Sequence, residues 1–228
     1  LYTRLGYQDN ITDASLFSAQ DAAYKALLLS QKYSQQGAGA QRAWQQQTQF
    51  VARHSQHPAA QQVALQQLQQ RYNEQDYHAV LQHSTAVTDW PHAELSQAAL
   101  VSEAHFLHSQ SELALNQYAS AEASISALLN SSRKELGASR VQQLTEQLAS
   151  SIYQQAQQPQ LADADVLTHL ARLLQTLPDS SYHQAAAYQQ ISLLHQAQQF
   201  TAVIPLLKRF IAQYANSERY LPAKALLL

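Results

Sequence analysis

Residues 200–214 read FTAVIPLLKRFIAQY, and their spacing decides the fold. Apolar side chains fall at Phe200, Val203, Ile204, Leu207, Phe210, Ile211 and Tyr214. Steps of three and four residues put them on one side of a helix, the mark of an element with a single buried face. The stripe ends in the polar break Tyr214-Ala215-Asn216-Ser217-Glu218, and a new helix begins near Arg219. The same unit occurs upstream. Tyr118, Ala121, Ile125, Leu128 and Leu129 run into Asn130-Ser131-Ser132, and Val166, Leu167, Leu170, Leu173 and Leu174 run into Leu177-Pro178-Asp179-Ser180. A weaker stripe at Tyr77, Val80 and Leu81 precedes Asp89-Trp90-Pro91, and Trp44, Phe50 and Val51 precede His57-Pro58. Proline just past a helix end is a stop signal, because it cannot continue the hydrogen-bond ladder.

Between these stripes lie Ala- and Gln-rich stretches, at about 13–33, 59–72, 93–115, 138–157 and 182–196. Short polar links at 73–76, 116–117, 158–160 and 198–199 join each to the stripe that follows. The order is first helix, tight turn, second helix, break. Tyr77 to Tyr118 is 41 residues, and Tyr118 to Phe200 is 82, twice that interval. A single helix pair cannot bury its own apolar face, so neighbouring pairs must stack and share a core. The expected fold is therefore all-α, an α-α superhelix of about five antiparallel helix pairs with a concave face. The pairs are expected at 13–57, 59–91, 93–132, 138–180 and 181–217, with a truncated helix at 219–228. Residues 1–12 form a lead segment, and 13–228 form one repeat domain.

Composition agrees. Of 228 residues, 38 are Gln and 38 Ala, both good helix formers, against four Gly and six Pro. With no Cys, disulfides, thiolate metal sites and cysteine nucleophiles are excluded. A net charge of −2 with scattered basic residues gives no footprint for nucleic acid. No apolar run approaches the ~20 residues that span a bilayer. The chain begins at Leu1 and ends in Ala225-Leu226-Leu227-Leu228, an apolar helix face, so it reads as a piece of a larger protein.

The segment from Ala185-Ala186-Ala187-Tyr188 through Phe200 to Glu218, and Tyr118, Ala121 and Ile125 at the start of an earlier second helix, resemble the tetratricopeptide repeat. In that family an aromatic opens the second helix, a small residue follows three later, an apolar one seven later, and a proline closes the unit. Pro91 lies near that closing position after Tyr77. The resemblance covers about residues 59–228 and is closest to the variant in bacterial envelope proteins. It departs from the pattern in lacking the first-helix Trp and Leu-Gly pair, and residues 13–55 fit it poorly.

The resemblance implies a non-catalytic protein-interaction scaffold, periplasmic or outer-membrane-associated, that holds a peptide or helix in its concave groove. The first helices would supply the wall, through Gln62, Leu65, Gln69 and Tyr72, then Glu103, Phe106, Gln110 and Leu113, then Ala185, Tyr188, Ser192 and His195. Tyr72, Phe106 and Tyr188 would be the aromatic anchors. The alternative is an accessory repeat domain of an envelope peptidase or peptidoglycan-cleaving enzyme, and a second is a self-associating structural protein.

Chemistry-bearing motifs are few. His105 and His108, with Glu103 nearby, share part of a helix face, but no third ligand is spaced for a metal. The other eight His show no ligand spacing, and Gly-x-Ser-x-Gly is absent. Asp163 and Asp165 sit where carboxylates favour a helix start. The sequence thus implies no catalytic, cofactor or metal site.

Overall fold

The computed structural model describes residues 13–33, 38–55, 57–88 and 95–226. The lead segment 1–12, the break at Asp89-Trp90-Pro91 and the last two leucines lie outside the described residues. Every described element is helical: α1 (Asp13–Tyr33), α2 (Ala38–Arg53), α3 (Ala60–Asn73), α4 (Tyr77–Thr88), α5 (Leu95–Ala114), α6 (Tyr118–Ser131), α7 (Arg133–Ala156), α8 (Asp163–Thr176), α9 (His183–Gln196), α10 (Phe200–Gln213) and α11 (Tyr220–Ala225). The three aromatics Tyr77, Tyr118 and Phe200 each open a helix, as their spacing predicts.

The chain divides into two compact units, one ending at Ser111 and the other beginning at Glu112. In the first, α1, α2, α3 and α4 pack in succession. Ala23 and Leu27 of α1, Phe50 of α2 and Ala60 and Val63 of α3 make one core cluster. Leu65 and Leu68 of α3, Val80 of α4 and Ala104 and Leu107 of α5 make the next. In the second unit, α6 to α11 also pack each on the next. Ile152 of α7, Leu170 and Leu173 of α8 and Ala186 of α9 form one cluster, and Ile191, Val203, Leu207, Phe210 and Ala223 carry the core from α9 through α10 to α11. Leu226 packs against this last cluster.

Backbone hydrogen bonds repeat with the helices. Gln75, Asn116 and Gln198 hold positive φ angles of 61°, 56° and 56° in the tight turns before α4, α6 and α10. In each, the next residue's N–H reaches back five residues, from Asp76 to the Arg71 carbonyl, Gln117 to Glu112 and Gln199 to Leu194, all at 2.9 Å. The left-handed residue itself donates three residues back. This is a Schellman closure, which normally favours glycine. The breaks after the second helices repeat too. His54, Leu177 and Tyr214 donate to the carbonyls of the buried Phe50, Leu173 and Phe210, followed by bonds His57 to His54, Ser180 to Leu177 and Ser217 to Tyr214.

These features make α2–α3–α4 and α8–α9–α10 one module written twice, 123 residues apart. Ala60–Asn73 maps onto His183–Gln196, Tyr77 onto Phe200 and Gln75 onto Gln198. The Tyr72–Tyr77 edge contact, 5.6 Å between ring centroids, recurs as His195–Phe200 at 5.5 Å. The interval is not uniform within it. Tyr118 to Asp163 is 45 residues and Asp163 to Phe200 is 37, so two deviations cancel inside the 82 read from the sequence. The longer step contains Pro159, which lacks an N–H and replaces the tight turn by an extended link before α8. It also contains Gly137, where φ 72° and ψ 159° kink α7, so its helical backbone resumes near the expected residue 138.

Two backbone predictions follow from these angles. Gln198→Gly should raise stability by about 0.5–1 kcal/mol and Gln198→Val lower it, because an L-residue pays about 1–2 kcal/mol in the left-handed region. Gly137→Ala should cost about 1–3 kcal/mol although its Cβ would meet nothing within 4 Å. Urea denaturation followed by circular dichroism measures both; a neutral Gly137→Ala would mean that the kink is not held.

Candidate interaction grooves

The repeated module carries a repeated groove. In the first unit it lies between α2 and α4 over α3, with a volume of about 290 Å³, lined by Trp44, Thr48, Val51, Ala52, Ala64, Gln67, Leu68, Arg71 and His83. In the second it lies between α8 and α10 over α9, with a volume of about 350 Å³. Its lining includes Ala171, Leu174, Gln175, Ala187, Gln190, Ile191 and Leu206, which stand 123 residues after Thr48, Val51, Ala52, Ala64, Gln67, Leu68 and His83. The same helix faces therefore make both hollows, and His183, Arg209, Phe210, Gln213 and Tyr214 complete the second.

In the first groove Thr48, Gln67 and Arg71 are bridged to protein partners, apart from the buried Arg71 Nε, which has no hydrogen-bond partner among the described residues. Gln67 Nε2 donates to Thr48 Oγ1 at 3.0 Å, bridging α3 to α2. Arg71 lies over the Trp44 ring at 4.3 Å from its centroid and pairs with Asp76 at 3.3 Å and Glu74 at 3.6 Å. The second groove differs. Gln190 has Ala171 opposite where Gln67 has Thr48, and among the described residues Arg209 has neither an ion pair nor a ring beneath it. Its ordered corner is a short hydrogen bond between His183 Nδ1 and the Tyr214 hydroxyl, which ties the start of α9 to the residue after α10. Burial lowers the His183 pKa, partly offset by the Asp179 carboxylate, and burial raises that of Tyr214.

The residues expected to form a binding wall lie mostly on other faces, and several are engaged internally. Leu65, 6% exposed, packs in the core cluster of α3, α4 and α5, and Gln110 is 9% exposed. The wall pattern 62, 65, 69, 72 was set by family register, and on α3 it falls across the seam with α4 and α5. Tyr72 packs on that cluster and on Tyr77, and burial together with Tyr77 raises its pKa. Tyr188 lies between Phe210, 5.7 Å away, and the Arg219 guanidinium, 5.2 Å from its ring centre. His195 meets Phe200 edge-on. Phe106, Glu103, Leu113 and Ser192 are half-buried, while Gln62 and Gln69 are exposed. His108 pairs with the Ser84 hydroxyl at 2.6 Å, and His105 is exposed. No three His, Asp or Glu side chains gather as a metal site among the described residues. Gln175, Gln190, Arg209 and Tyr214 were missed as groove residues; the 123-residue offset from Ala52 and Gln67 is the signal that would have found the first two.

One charged network stands apart from the grooves. Arg172 of α8 holds Glu122 of α6 through both guanidinium nitrogens, at 2.8 and 2.9 Å, and Gln155 of α7 donates to the same carboxylate at 2.6 Å. A two-point arginine–carboxylate pair fixes geometry as well as charge, so this network fastens three helices.

Comparison with known protein families and with characterised proteins gives no match.

The His183 corner sets a pH dependence. Because its folded pKa lies below the ordinary value near 6.5, the unfolded chain takes up the proton first. The contribution is complete above about pH 6.5 and is lost as pH falls through the lower folded value. Thermal melts between about pH 7 and 5 should show a shallower decline for His183→Gln than for wild type; parallel curves would remove His183 from the account.

Proposed function

We propose that this chain is a non-catalytic protein-interaction scaffold of the tetratricopeptide-repeat type, and that it works in the bacterial envelope, periplasmic or attached to the outer membrane, as part of a larger protein. The observation that carries the reading is the groove repeated at an interval of 123 residues, with an apolar floor and a rim of Gln and Arg. A floor of short aliphatic side chains accepts apolar residues of a partner, and amides at the rim offer both donors and acceptors to its backbone. The paired helices, the aromatic that opens each of three second helices and Ala121 three residues after Tyr118 support the family resemblance. That resemblance, with the absence of Cys and the abundance of Gln, supports the envelope location. No described helix is long and apolar enough to cross a membrane.

Site-specific photocrosslinking tests the reading. A benzophenone side chain at the exposed Gln175 or Gln213, or at Thr48 or Ala52, should capture a defined partner from envelope extract, while the same probe at the exposed Gln143 should not. Equal capture at Gln143, or none at all four groove positions, would refute groove binding.

A further inference from the structure

The two grooves share a shape but not a charge state, and the difference identifies what the second one takes. In the first groove Arg71 is neutralised by Glu74 and Asp76 and covered by Trp44. In the second, the exposed Arg209 stands at the rim, and among the described residues no carboxylate pairs with it and no acidic side chain lines the groove. Asp179 brings an acid near the groove, its charge reaching His183, while α10 itself carries Lys208 and Arg209 and no acid. The side chains of Gln175, Gln190 and Gln213 around the same hollow make no hydrogen bond among the described residues. The floor beneath them, at Leu174, Ala187 and Leu206, is apolar and half-buried.

Resting on the scaffold reading above, we propose that the groove between α8 and α10 binds an acidic amphipathic segment of a partner protein. Aliphatic side chains of that segment lie on Leu174, Ala187 and Leu206, and a carboxylate pairs with Arg209. A rim guanidinium with no counter-charge among the described residues favours a carboxylate over a cation, so the charge biases the choice of partner and the apolar floor holds it. A bidentate arginine–carboxylate pair also fixes the register of the bound segment.

The test uses the whole chain and a fluorescent amphipathic peptide of about four helical turns, with Leu on one stripe and Glu flanking it. Twins of the peptide carry Gln or Lys in place of Glu. By fluorescence anisotropy at low salt, the Glu peptide should bind at least about tenfold more tightly than the Lys twin. Arg209→Glu should abolish or invert that preference. Lys208→Glu makes the same change in net charge on an exposed neighbouring residue that does not line the groove, and it should alter affinity by less than about threefold. Equal losses in the two variants would reduce the effect to general electrostatics and overturn the proposal. So would peptides that bind alike whatever their charge, or binding of anionic lipid vesicles through Arg209 in place of the peptide. If no peptide binds, this proposal fails, whereas capture of a partner at Gln175 or Gln213 would still uphold the scaffold reading.

Discussion

Everything in this fold depends on the second helix of each pair having a stripe that its own partner cannot cover. Val203, Leu207 and Phe210 are at most 2% exposed, yet they reach that state only by packing on Ile191 and Leu194 on one side and Ala223 on the other. Each fully buried side chain of this size is worth about 1.5–3 kcal/mol relative to exposure. Removing the following helix would return part of that. The same constraint explains why backbone bonds at the breaks start from Phe50, Leu173 and Phe210. The residue that anchors the core is also the residue whose carbonyl closes the helix, so packing and chain reversal are fixed together.

The two copies of the module meet this constraint with different chemistry. Leu170 and Leu207 of the second unit, both fully buried, correspond to Gln47 and Ser84 of the first. Ser84 keeps its burial by pairing with the Leu81 carbonyl and with His108. A buried amide or hydroxyl contributes only the net value of its hydrogen bonds, about 1 kcal/mol each, where a leucine contributes its full transfer energy. The first unit therefore holds the same backbone geometry with less apolar cohesion. Its groove compensates by linking its own walls, Gln67 to Thr48 and Arg71 to Trp44. At the equivalent positions the second unit has Gln190, with no hydroxyl opposite it, and Leu194, which joins the core.

Much of this was legible in the sequence. The stripes at Tyr118 and Phe200 named helices that begin at those residues, because a 3.6-residue period over four turns has few other readings. The tight turns were legible as polar links, but their left-handed residues were not, since Gln75 and Gln198 are not the glycines such turns favour. The twice-41 interval was correct in sum and concealed a 45 and a 37, because spacing counts residues and does not register the Pro159 link or the Gly137 kink.

The hollows lie on a different helix face from the wall that the family register implies, and the cause is geometric. Wall positions 62, 65, 69 and 72 were placed by family register, and neighbouring positions on a helix differ by about 100°. Leu65, Ala64 and Leu68 all belong to one core cluster, but only Ala64 and Leu68 also floor the groove, with Gln67 at its rim. An internal comparison needs no such transfer. At an offset of 123, six of the identical pairs are Gln61, Ala64, Gln66, Gln67, Gln75 and Val80 with Gln184, Ala187, Gln189, Gln190, Gln198 and Val203. Three of these six pairs have evident tasks: Ala64 and Ala187 floor the grooves, Gln75 and Gln198 turn the chain, and Val80 and Val203 fill the cores. Gln67 and Gln190 are the informative pair. The amide is the same in both copies, but only Gln67 has a hydroxyl to bind, so the equivalent group at Gln190 is left facing whatever enters the second groove.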